Sequence, residues 1–195
     1  MTARVGVVQF PGTNCELDTM HAITQLGGEA EILFHTERTL RNVDAVIVPG
    51  GFAHGDYLRT GAIARFSPVM DAVADHAAAG GPVVGICNGF QVLCEAGLLP
   101  GSLQKNAGLK FLCAMVAIRV ETVETVLTGR AEPGQVLRIP VNHFEGNYVC
   151  DAETLSALRS EDRVVLRYLE NPNGSLDDIA GVCNEGRNVV GLMPH

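Results

Sequence analysis

The sequence contains no tryptophan, and aromatic residues occupy only 5% of its 195 positions. A core must therefore be built from aliphatic side chains, for which an apolar content of 47% is sufficient. No apolar run approaches the length of about 20 residues that a membrane-spanning helix needs. Basic residues are outnumbered by acidic ones, and the net charge of −8 is spread without long runs. This charge argues against nucleic acid or an anionic membrane as the main partner.

The six cysteines form no C-x-x-C pair. Scattered thiols fit a reducing cytoplasm better than disulfides, and they predict no metal site. The chain enters a predicted strand at Val5, which leaves no room for a signal peptide, so we expect a cytoplasmic protein. Phosphate-binding and dinucleotide-binding glycine loops are also absent, so we expect no cofactor in this chain.

Strands and helices alternate in the first half of the chain. Predicted strands cover 5–10, 30–34, 44–48 and 82–86, and predicted helices cover 16–26, 68–79 and 90–96. This order is typical of an α/β fold with a doubly wound, mostly parallel sheet. After Pro100, β-branched strands follow one another at 110–120, 122–128, 136–141 and 163–168, and a hairpin joins 178–183 to 189–193. No linker is visible, which predicts a single domain over 1–195 with an antiparallel extension.

Cys87 lies between a predicted strand and a predicted helix, with Gly85 two positions before it and Gly89 two positions after it. This is the spacing of a nucleophile elbow, a turn so tight that flanking side chains would clash. The sulfur would then lie at a helix N-terminus, where the helix dipole favours the thiolate. A buried cysteine beside two loop glycines explains the isolated motif equally well.

Other candidate groups follow strands that end at the same edge of the sheet. Backbone N–H groups at Gly50 and Gly51, together with the N–H of Asn88, are suited to hold an oxyanion. A thiol nucleophile also needs a base, and three histidines lie at strand ends or in loops. These are His54, His143 and His195, and the pattern does not choose among them. Cys15 and Cys94 are interpreted as buried apolar residues, and 171–175 as a turn.

Several motifs carry a family resemblance. Segments 85–91, 49–51 and 193–195 resemble the nucleophile, oxyanion and histidine motifs of class I (triad-type) glutamine amidotransferases. Five blocks, in order, resemble one family within that class, the glutamine amidotransferase subunit of phosphoribosylformylglycinamidine synthase. The blocks are 10–15, 49–52, 55–64, 171–175 and 191–195.

The resemblance implies a flavodoxin-like fold and a reaction in de novo purine synthesis. Glutamine is hydrolysed to glutamate and ammonia, and a synthetase subunit uses the ammonia and ATP to convert formylglycinamide ribonucleotide (FGAR) to formylglycinamidine ribonucleotide (FGAM). The implied partners are that large synthetase subunit, which would hold ATP and Mg, and a small accessory subunit. Neither nucleic acid nor a membrane is implied.

The resemblance also implies roles for individual residues. Cys87 would attack glutamine, His195 would move the protons, and the N–H groups of Gly51 and Asn88 would hold the oxyanion. Substrate-binding positions are Gly50, Gln91 and His143, whereas structural or partner-facing positions are Asp56 and Arg59.

The sequence departs from the family in one place. The family carries a glutamate two positions after the catalytic histidine, where it orients the imidazole, and this sequence ends at His195. We expect that a short C-terminal segment is missing from it. Three alternatives stay open: an amidotransferase for another synthetase, a glutamine-binding scaffold with a degenerate triad, and a cysteine hydrolase with the same elbow.

Overall fold

The computed structural model describes residues 2–195, which form a nine-stranded sheet and a two-stranded sheet. The strands are β1 (Arg4–Gln9), β2 (Glu29–Phe34), β3 (Ala45–Val48), β4 (Val83–Ile86), β5 (Ser102–Gln104), β6 (Leu112–Val120), β7 (Val136–His143), β8 (Asn147–Val149), β9 (Val164–Tyr168), β10 (Ile179–Cys183) and β11 (Val189–Leu192). The helices are α1 (Glu16–Gln25), α2 (Pro68–Ala78), α3 (Asn88–Glu95) and α4 (Ala152–Ser160). Within residues 2–195, no helix has the length and apolar character to cross a membrane.

The large sheet joins a parallel half to an antiparallel half. Its order is β2-β1-β3-β4-β11-β10-β9-β6-β7. The first five strands run parallel in the order of a flavodoxin-like fold. From β11 onwards every pairing is antiparallel. The predicted fold class, a mostly parallel doubly wound sheet with an antiparallel extension, is therefore confirmed, and β11 belongs to both halves.

Strand β4 is covered on both faces, as its continuous apolar sequence predicts. Successive side chains of a strand point to opposite faces. Val83 packs into one core cluster with Val73 of α2 and Phe90 of α3, whereas Val84 packs against the other cluster with Val190 of β11. The strand that precedes Cys87 is thereby held from both sides.

The predicted strand over 122–128 is wrong, because this segment forms a turn. The Thr125 hydroxyl accepts hydrogen bonds from the backbone N–H groups of Leu127 and Thr128, at 3.3 and 3.2 Å. It also lies 2.7 Å from the Thr128 hydroxyl. Threonine favours strands through its branched side chain, but its oxygen can instead satisfy nearby backbone groups and replace the sheet ladder.

Helix α3 packs unusually close to the sheet at Gly89. A Cβ at this position would lie 1.8 Å from the carbonyl oxygen of Val48, at the end of β3. Such a distance is far inside van der Waals contact, so only glycine allows the first turn of α3 to approach β3 in this way.

Replacing Gly89 tests this contact. Gly89→Ala should lower the free energy of unfolding by at least about 2 kcal/mol, because the helix must move away from β3. Helix propensity alone predicts the opposite sign, since alanine favours a helix by about 1 kcal/mol over glycine. The measurement is urea unfolding, with Gly108→Ala as the matched control, because a Cβ at Gly108 meets no atom within 4 Å. Equal stability of the two variants would contradict the prediction.

Candidate active site

Cys87 occupies a strained turn between β4 and α3. Its backbone has φ 51° and ψ −106°, a positive-φ conformation that costs a non-glycine residue about 1–3 kcal/mol. The turn is held because the Cys87 N–H donates to the Leu192 carbonyl of β11 at 2.8 Å. A Cβ at Gly85 would lie 2.5 Å from Leu93 Cδ1 and 2.7 Å from the Gly89 carbonyl oxygen. The glycine spacing in the sequence thus corresponds to the geometry of a nucleophile elbow.

A cavity of about 330 Å³ opens beside this turn. Six of the nine site residues predicted from the sequence line it: Gly51, Asp56, Cys87, Gln91, His143 and His195. Gly50 lies beside its wall, since a Cβ there would be 3.3 Å from the His195 ring and 3.4 Å from the Cys15 sulfur. The backbone of Asn88 adjoins it through Cys87, and Arg59 lies outside it. Within residues 2–195, no group of three or more His, Cys, Asp or Glu side chains could hold a metal ion.

Gly51 and Asn88 carry the two backbone N–H groups that the sequence predicts as oxyanion donors. The Asn88 N–H hydrogen-bonds to the Cys87 sulfur and thereby lowers the pKa of the thiol. Within residues 2–195, the Gly51 N–H donates to no acceptor. Its neighbours Gly50 and Phe52 do form backbone hydrogen bonds, both with the segment before α1. Gly51 has φ +145°, and a Cβ there would lie 2.5 Å from the Asn14 nitrogen. A side chain at position 51 is therefore excluded, and the N–H stays available.

The structure separates the three candidate bases. His54 lies outside the cavity wall, with its ring 6.0 Å from the Phe10 ring and 5.4 Å from the His35 ring. His143 and His195 both line the cavity. A Cβ added at Gly50 would lie 3.3 Å from the His195 ring. The backbone N–H of His195 donates to the Pro140 carbonyl at 3.0 Å.

Burial lowers the pKa of His195, and no carboxylate of the described chain offsets this effect. The imidazole is therefore neutral at physiological pH and has a lone pair that can take a proton. The glutamate expected two positions beyond His195 lies outside the sequence and stays a prediction.

Gln91 and Asn88 belong to a buried hydrogen-bond network on one side of the cavity. Asn88 Nδ2 donates to Gln91 Oε1 at 2.9 Å and to Asp56 Oδ1 at 3.2 Å, and Asn88 Oδ1 accepts from the Ala53 N–H at 3.0 Å. Gln91 Nε2 donates to the Glu145 carbonyl. Most of the Gln91 amide is thus engaged within the protein, where it ties α3 to the loop after β7.

Arg59 is exposed and contacts the protein rather than the cavity. Its guanidinium makes a bidentate ion pair with Glu95 at the end of α3, with both N–O distances 2.6 Å. Arg65 reaches the Glu95 carbonyl at 3.0 Å. These contacts hold the segment 59–65 against the end of α3.

Sequence reasoning missed two residues at or beside the cavity. Cys15 was interpreted as a buried apolar residue, but it is only partly buried and lines the cavity. Its sulfur would lie 3.4 Å from a Cβ added at Gly50. Asn106 is fully buried and hydrogen-bonds to His143. The contact joins residues 37 positions apart, so no local pattern could have revealed it. Cys94, by contrast, is buried as predicted.

The turn over 171–175 contacts the loop after β7, which forms part of the cavity wall. Asn173 and Ser175 are buried, and both donate to the Gly146 carbonyl, from Nδ2 at 2.8 Å and from Oγ at 3.2 Å. Gly146 in turn lies against the His143 ring, since a Cβ there would lie 2.3 Å from His143 Cε1. The turn therefore fixes the loop that follows His143.

Burial outweighs the helix dipole in setting the pKa of Cys87 in the isolated chain. The pKa of its thiol is raised to about 12, chiefly by burial and in smaller part by nearby Cys15 and Asp56, while the Asn88 N–H opposes the rise. A shift of this size corresponds to ~4 kcal/mol, whereas a charge at a helix terminus gains at most about 2 kcal/mol. Desolvation outweighs the dipole, so the resting pair is a thiol and a neutral imidazole.

Comparisons with known proteins identify the class to which the chain belongs. Residues 2–195 match the family model of the CobB/CobQ-like glutamine amidotransferase domain, so the chain is a glutamine amidotransferase. The crystal structure of a glutamine amidotransferase from Thermotoga maritima shares the fold, with a TM-score of 0.64 at 16% identity, over 100% of this chain and 76% of that one.

Other relatives are more specific. The phosphoribosylformylglycinamidine synthase subunit PurQ of Rubrobacter xylanophilus is 60% identical over 192 residues, which are 98% of this chain and 87% of the relative. That of Mycobacterium tuberculosis is 56% identical over 195 residues, which are 100% of this chain and 87% of the relative. A chain in the structure of PurLQS from Thermotoga maritima has a TM-score of 0.92 at 42% identity, over 100% of this chain and 88% of that one. The chain therefore belongs to the family of glutamine amidotransferase subunits of phosphoribosylformylglycinamidine synthase.

The high thiol pKa predicts slow alkylation of Cys87. Iodoacetamide reacts with the thiolate, and at pH 8 only about 10⁻⁴ of a thiol with a pKa of about 12 is ionised. In the isolated chain, exposed Cys113 should be labelled long before Cys87, and labelling of Cys87 should rise about tenfold per pH unit between about pH 8 and 10. Peptide mass spectrometry measures both sites at once. A Cys87 rate independent of pH would show that access, rather than ionisation, limits the reaction.

Asp56 predicts a pH dependence of stability. Burial raises the pKa of its carboxyl to about 6, above about 3.9 for an unfolded chain. Between these two pKa values, the folded state keeps the Asp56 proton and the unfolded state has lost it. The stabilising contribution of Asp56 to the free energy of unfolding is therefore full below about pH 4 and is lost as the pH rises through about 6.

Asp56→Asn removes this dependence. We compare the free energy of unfolding of the variant with that of wild type at each pH. The difference, variant minus wild type, should increase by about 1–2 kcal/mol from about pH 4.5 to about pH 7.5. This value is already reduced to allow for the partial exposure of Asp56. Denaturant unfolding at several pH values measures it, and Asp75→Asn, on the exposed face of α2, controls for the lost charge. A difference that stays constant with pH would refute the assignment.

Proposed function

We propose that this chain is the glutaminase subunit of phosphoribosylformylglycinamidine synthase. It hydrolyses L-glutamine to glutamate and ammonia and supplies the ammonia for the ATP-dependent conversion of FGAR to FGAM. The observation that carries the proposal is the cavity itself, which combines an elbow thiol, two backbone N–H donors and a neutral imidazole. The family to which the chain belongs supplies the substrate and the pathway.

The reaction begins with Cys87 and His195 both uncharged. As the thiol attacks the carboxamide carbon, its proton moves to the His195 imidazole and a C–S bond forms. The carbonyl electron pair moves to the oxygen, which accepts hydrogen bonds from the N–H groups of Gly51 and Asn88. One such donor is worth about 10²–10³ in rate.

Collapse of this intermediate breaks the C–N bond. His195 returns its proton to the departing nitrogen, so the products are ammonia and a thioester on Cys87. Water then attacks the thioester carbon and loses a proton to His195. The C–S bond breaks, His195 returns the proton to the Cys87 sulfur, and glutamate leaves as its new carboxyl group gives its remaining proton to solvent. Atoms and protons balance without a cofactor in this chain.

The remaining wall of the cavity fits the rest of the substrate. Asp56 and Glu145 offer carboxyl groups to the α-ammonium of glutamine, and an ammonium beside Asp56 would favour its ionised form. Gly50 leaves room for the His195 ring beside the substrate. Gln91 has one amide hydrogen beyond its bond to Glu145. We assign Gly50, Gln91 and His143 to substrate binding on this basis.

The partners follow from the same assignment. A large synthetase subunit and a small accessory subunit complete the complex, as the PurLQS relative indicates. We propose that the large subunit binds ATP, Mg and the ribonucleotide. Ammonia passed between subunits stays uncharged and nucleophilic, whereas in water it would mostly be ammonium. We place the complex in the cytoplasm. We also propose that 1–195 works as one domain, since the cavity takes residues from both halves of the sheet.

Cys87→Ser tests the assignment in the complete complex. Glutamine hydrolysis should fall by at least about 10³-fold, since the hydroxyl is a far weaker nucleophile beside the same base. Synthesis of FGAM from added ammonium salt should continue, because the synthetase active site is unchanged. Cys113→Ser is the matched control and should keep both activities, since Cys113 is exposed and outside the cavity. Glutamine hydrolysis by Cys87→Ser at the wild-type rate would reject the mechanism.

A further inference from the structure

The segment 49–53 follows β3 and carries the predicted oxyanion donor Gly51. On one side, backbone hydrogen bonds join this segment to residues 12–15. On the other side, the pairing of β3 with β4 ends before the segment begins. Within residues 2–195, its one hydrogen bond to the β4–α3 region is made by a side chain, since the Ala53 N–H donates to Asn88 Oδ1 at 3.0 Å. Asn88 alone therefore links this segment to the nucleophile turn by a hydrogen bond.

Ala53 is followed by a turn in an unfavourable backbone conformation. His54, Gly55 and Asp56 all have positive φ, with values of 54°, 70° and 53°. Two of the three are not glycine, and such residues keep this conformation only where surrounding contacts fix it. Asn88 contacts both ends of the turn, because its Oδ1 accepts from the Ala53 N–H and its Nδ2 donates to Asp56 Oδ1 at 3.2 Å. One side chain thus bridges the start and the end of the strained turn.

The Asn88 amide has one possible orientation. A backbone N–H can only donate, so the amide oxygen must face Ala53 and the nitrogen must face the opposite way. Both hydrogens of the nitrogen are used, one by Asp56 Oδ1 and the other by Gln91 Oε1 at 2.9 Å. The residue is only 3% exposed, so the loss of any of these bonds leaves a buried polar group unpaired.

Asn88 also supplies one of the two predicted oxyanion donors. Its backbone N–H hydrogen-bonds to the Cys87 sulfur at the start of α3. The backbone of Asn88 therefore carries one donor, while its side chain holds the segment that carries the other donor, Gly51. Donors of this kind act only when they are fixed at the distance that a single oxygen requires. The link through the side chain sets how far the two donors lie apart.

We propose that the Asn88 side chain is a positioning residue for the oxyanion site, which fixes the segment of Gly51 against α3 so that both donors reach the same oxygen. The proposal rests on the glutaminase function given above and adds a side-chain role to that reaction. The oxyanion forms only during the reaction. Loss of the Asn88 side chain should therefore lower kcat and kcat/KM together and leave the KM for glutamine almost unchanged.

Asn88→Leu tests the proposal in the complete synthase complex. The variant removes all three side-chain hydrogen bonds at a similar volume and keeps the backbone N–H of position 88. The kcat for glutamine hydrolysis should fall by about 10²-fold, as when one oxyanion donor is lost, and the KM should change by less than about threefold. Glutamate release over a range of glutamine concentrations measures both constants. Synthesis of FGAM from added ammonium salt should continue.

Asn88→Asp supplies a readout that depends on pH. In wild type, the pKa of the Asp56 carboxyl is raised to about 6, chiefly by burial; the Asn88 hydrogen bond opposes the rise and the charge of Glu145 adds to it. The variant loses that hydrogen bond and adds a second carboxyl group beside the first, so the pair keeps one proton to well above pH 6. With this proton the new carboxyl group can still donate to Asp56 and accept from Ala53, whereas without it the two carboxylates repel each other.

The expected result is a kcat of Asn88→Asp, divided by that of wild type, that falls at least tenfold between about pH 6 and about pH 8.5. Taking this ratio cancels the pH dependence that Cys87 and His195 give to both proteins. Asn42→Asp is the matched control, since it adds the same charge on the exposed loop before β3, away from the cavity, and it should keep the wild-type kcat at every pH. A merely structural disturbance would lower kcat in the same proportion at every pH.

The outcomes separate this inference from the proposed function. A wild-type complex that does not hydrolyse glutamine would reject the function itself. If wild type hydrolyses glutamine, the positioning role is overturned when Asn88→Leu keeps its kcat or raises KM instead. It is also overturned when the kcat ratio of Asn88→Asp does not change with pH. Should Asn88→Leu fail to fold, the pH dependence of Asn88→Asp decides alone.

Discussion

The close packing of α3 against the sheet is the contact on which the site depends. At Gly89 the helix touches the end of β3, and at Gly85 the strand touches the helix, so no side chain fits at either position. The chain can join β4 to α3 only through a residue with positive φ, and that residue is Cys87. The same turn aims the Asn88 N–H at the sulfur. One packing constraint thus sets the nucleophile and one oxyanion donor together.

Desolvation determines the resting charge of this site. The cavity keeps Cys87 as a thiol and both of its histidines neutral, so the centre contains no resting ion pair between Cys87 and His195. Proton transfer must then accompany nucleophilic attack, when the developing oxyanion gains its backbone donors. A site of this kind becomes reactive through the shape and polarity of its ligand.

Local spacing predicted the parts of the protein that local geometry controls. The glycines around Cys87, the strand–helix alternation and the hairpin of β10 and β11 all express short-range constraints. The turn over 122–128 was missed because the Thr125 oxygen bonds to nearby N–H groups, which composition does not reveal. Cys15 and Asn106 were missed because their contacts bridge distant segments. The raised pKa of the Cys87 thiol was not predicted, because a motif does not encode how deeply the fold buries its sulfur.

The two walls of the cavity are fastened in different ways. The Cys87 wall is held by strand pairing, with Leu192 beside Ile86 and the Cys87 N–H on the Leu192 carbonyl. The His143 wall is held by individual side chains, those of Asn106, Asn173 and Ser175. Backbone pairing survives most substitutions, whereas a side-chain bond changes with a single one. During divergence of such a scaffold, the reacting atoms can stay fixed while ligand preference drifts through the opposite wall.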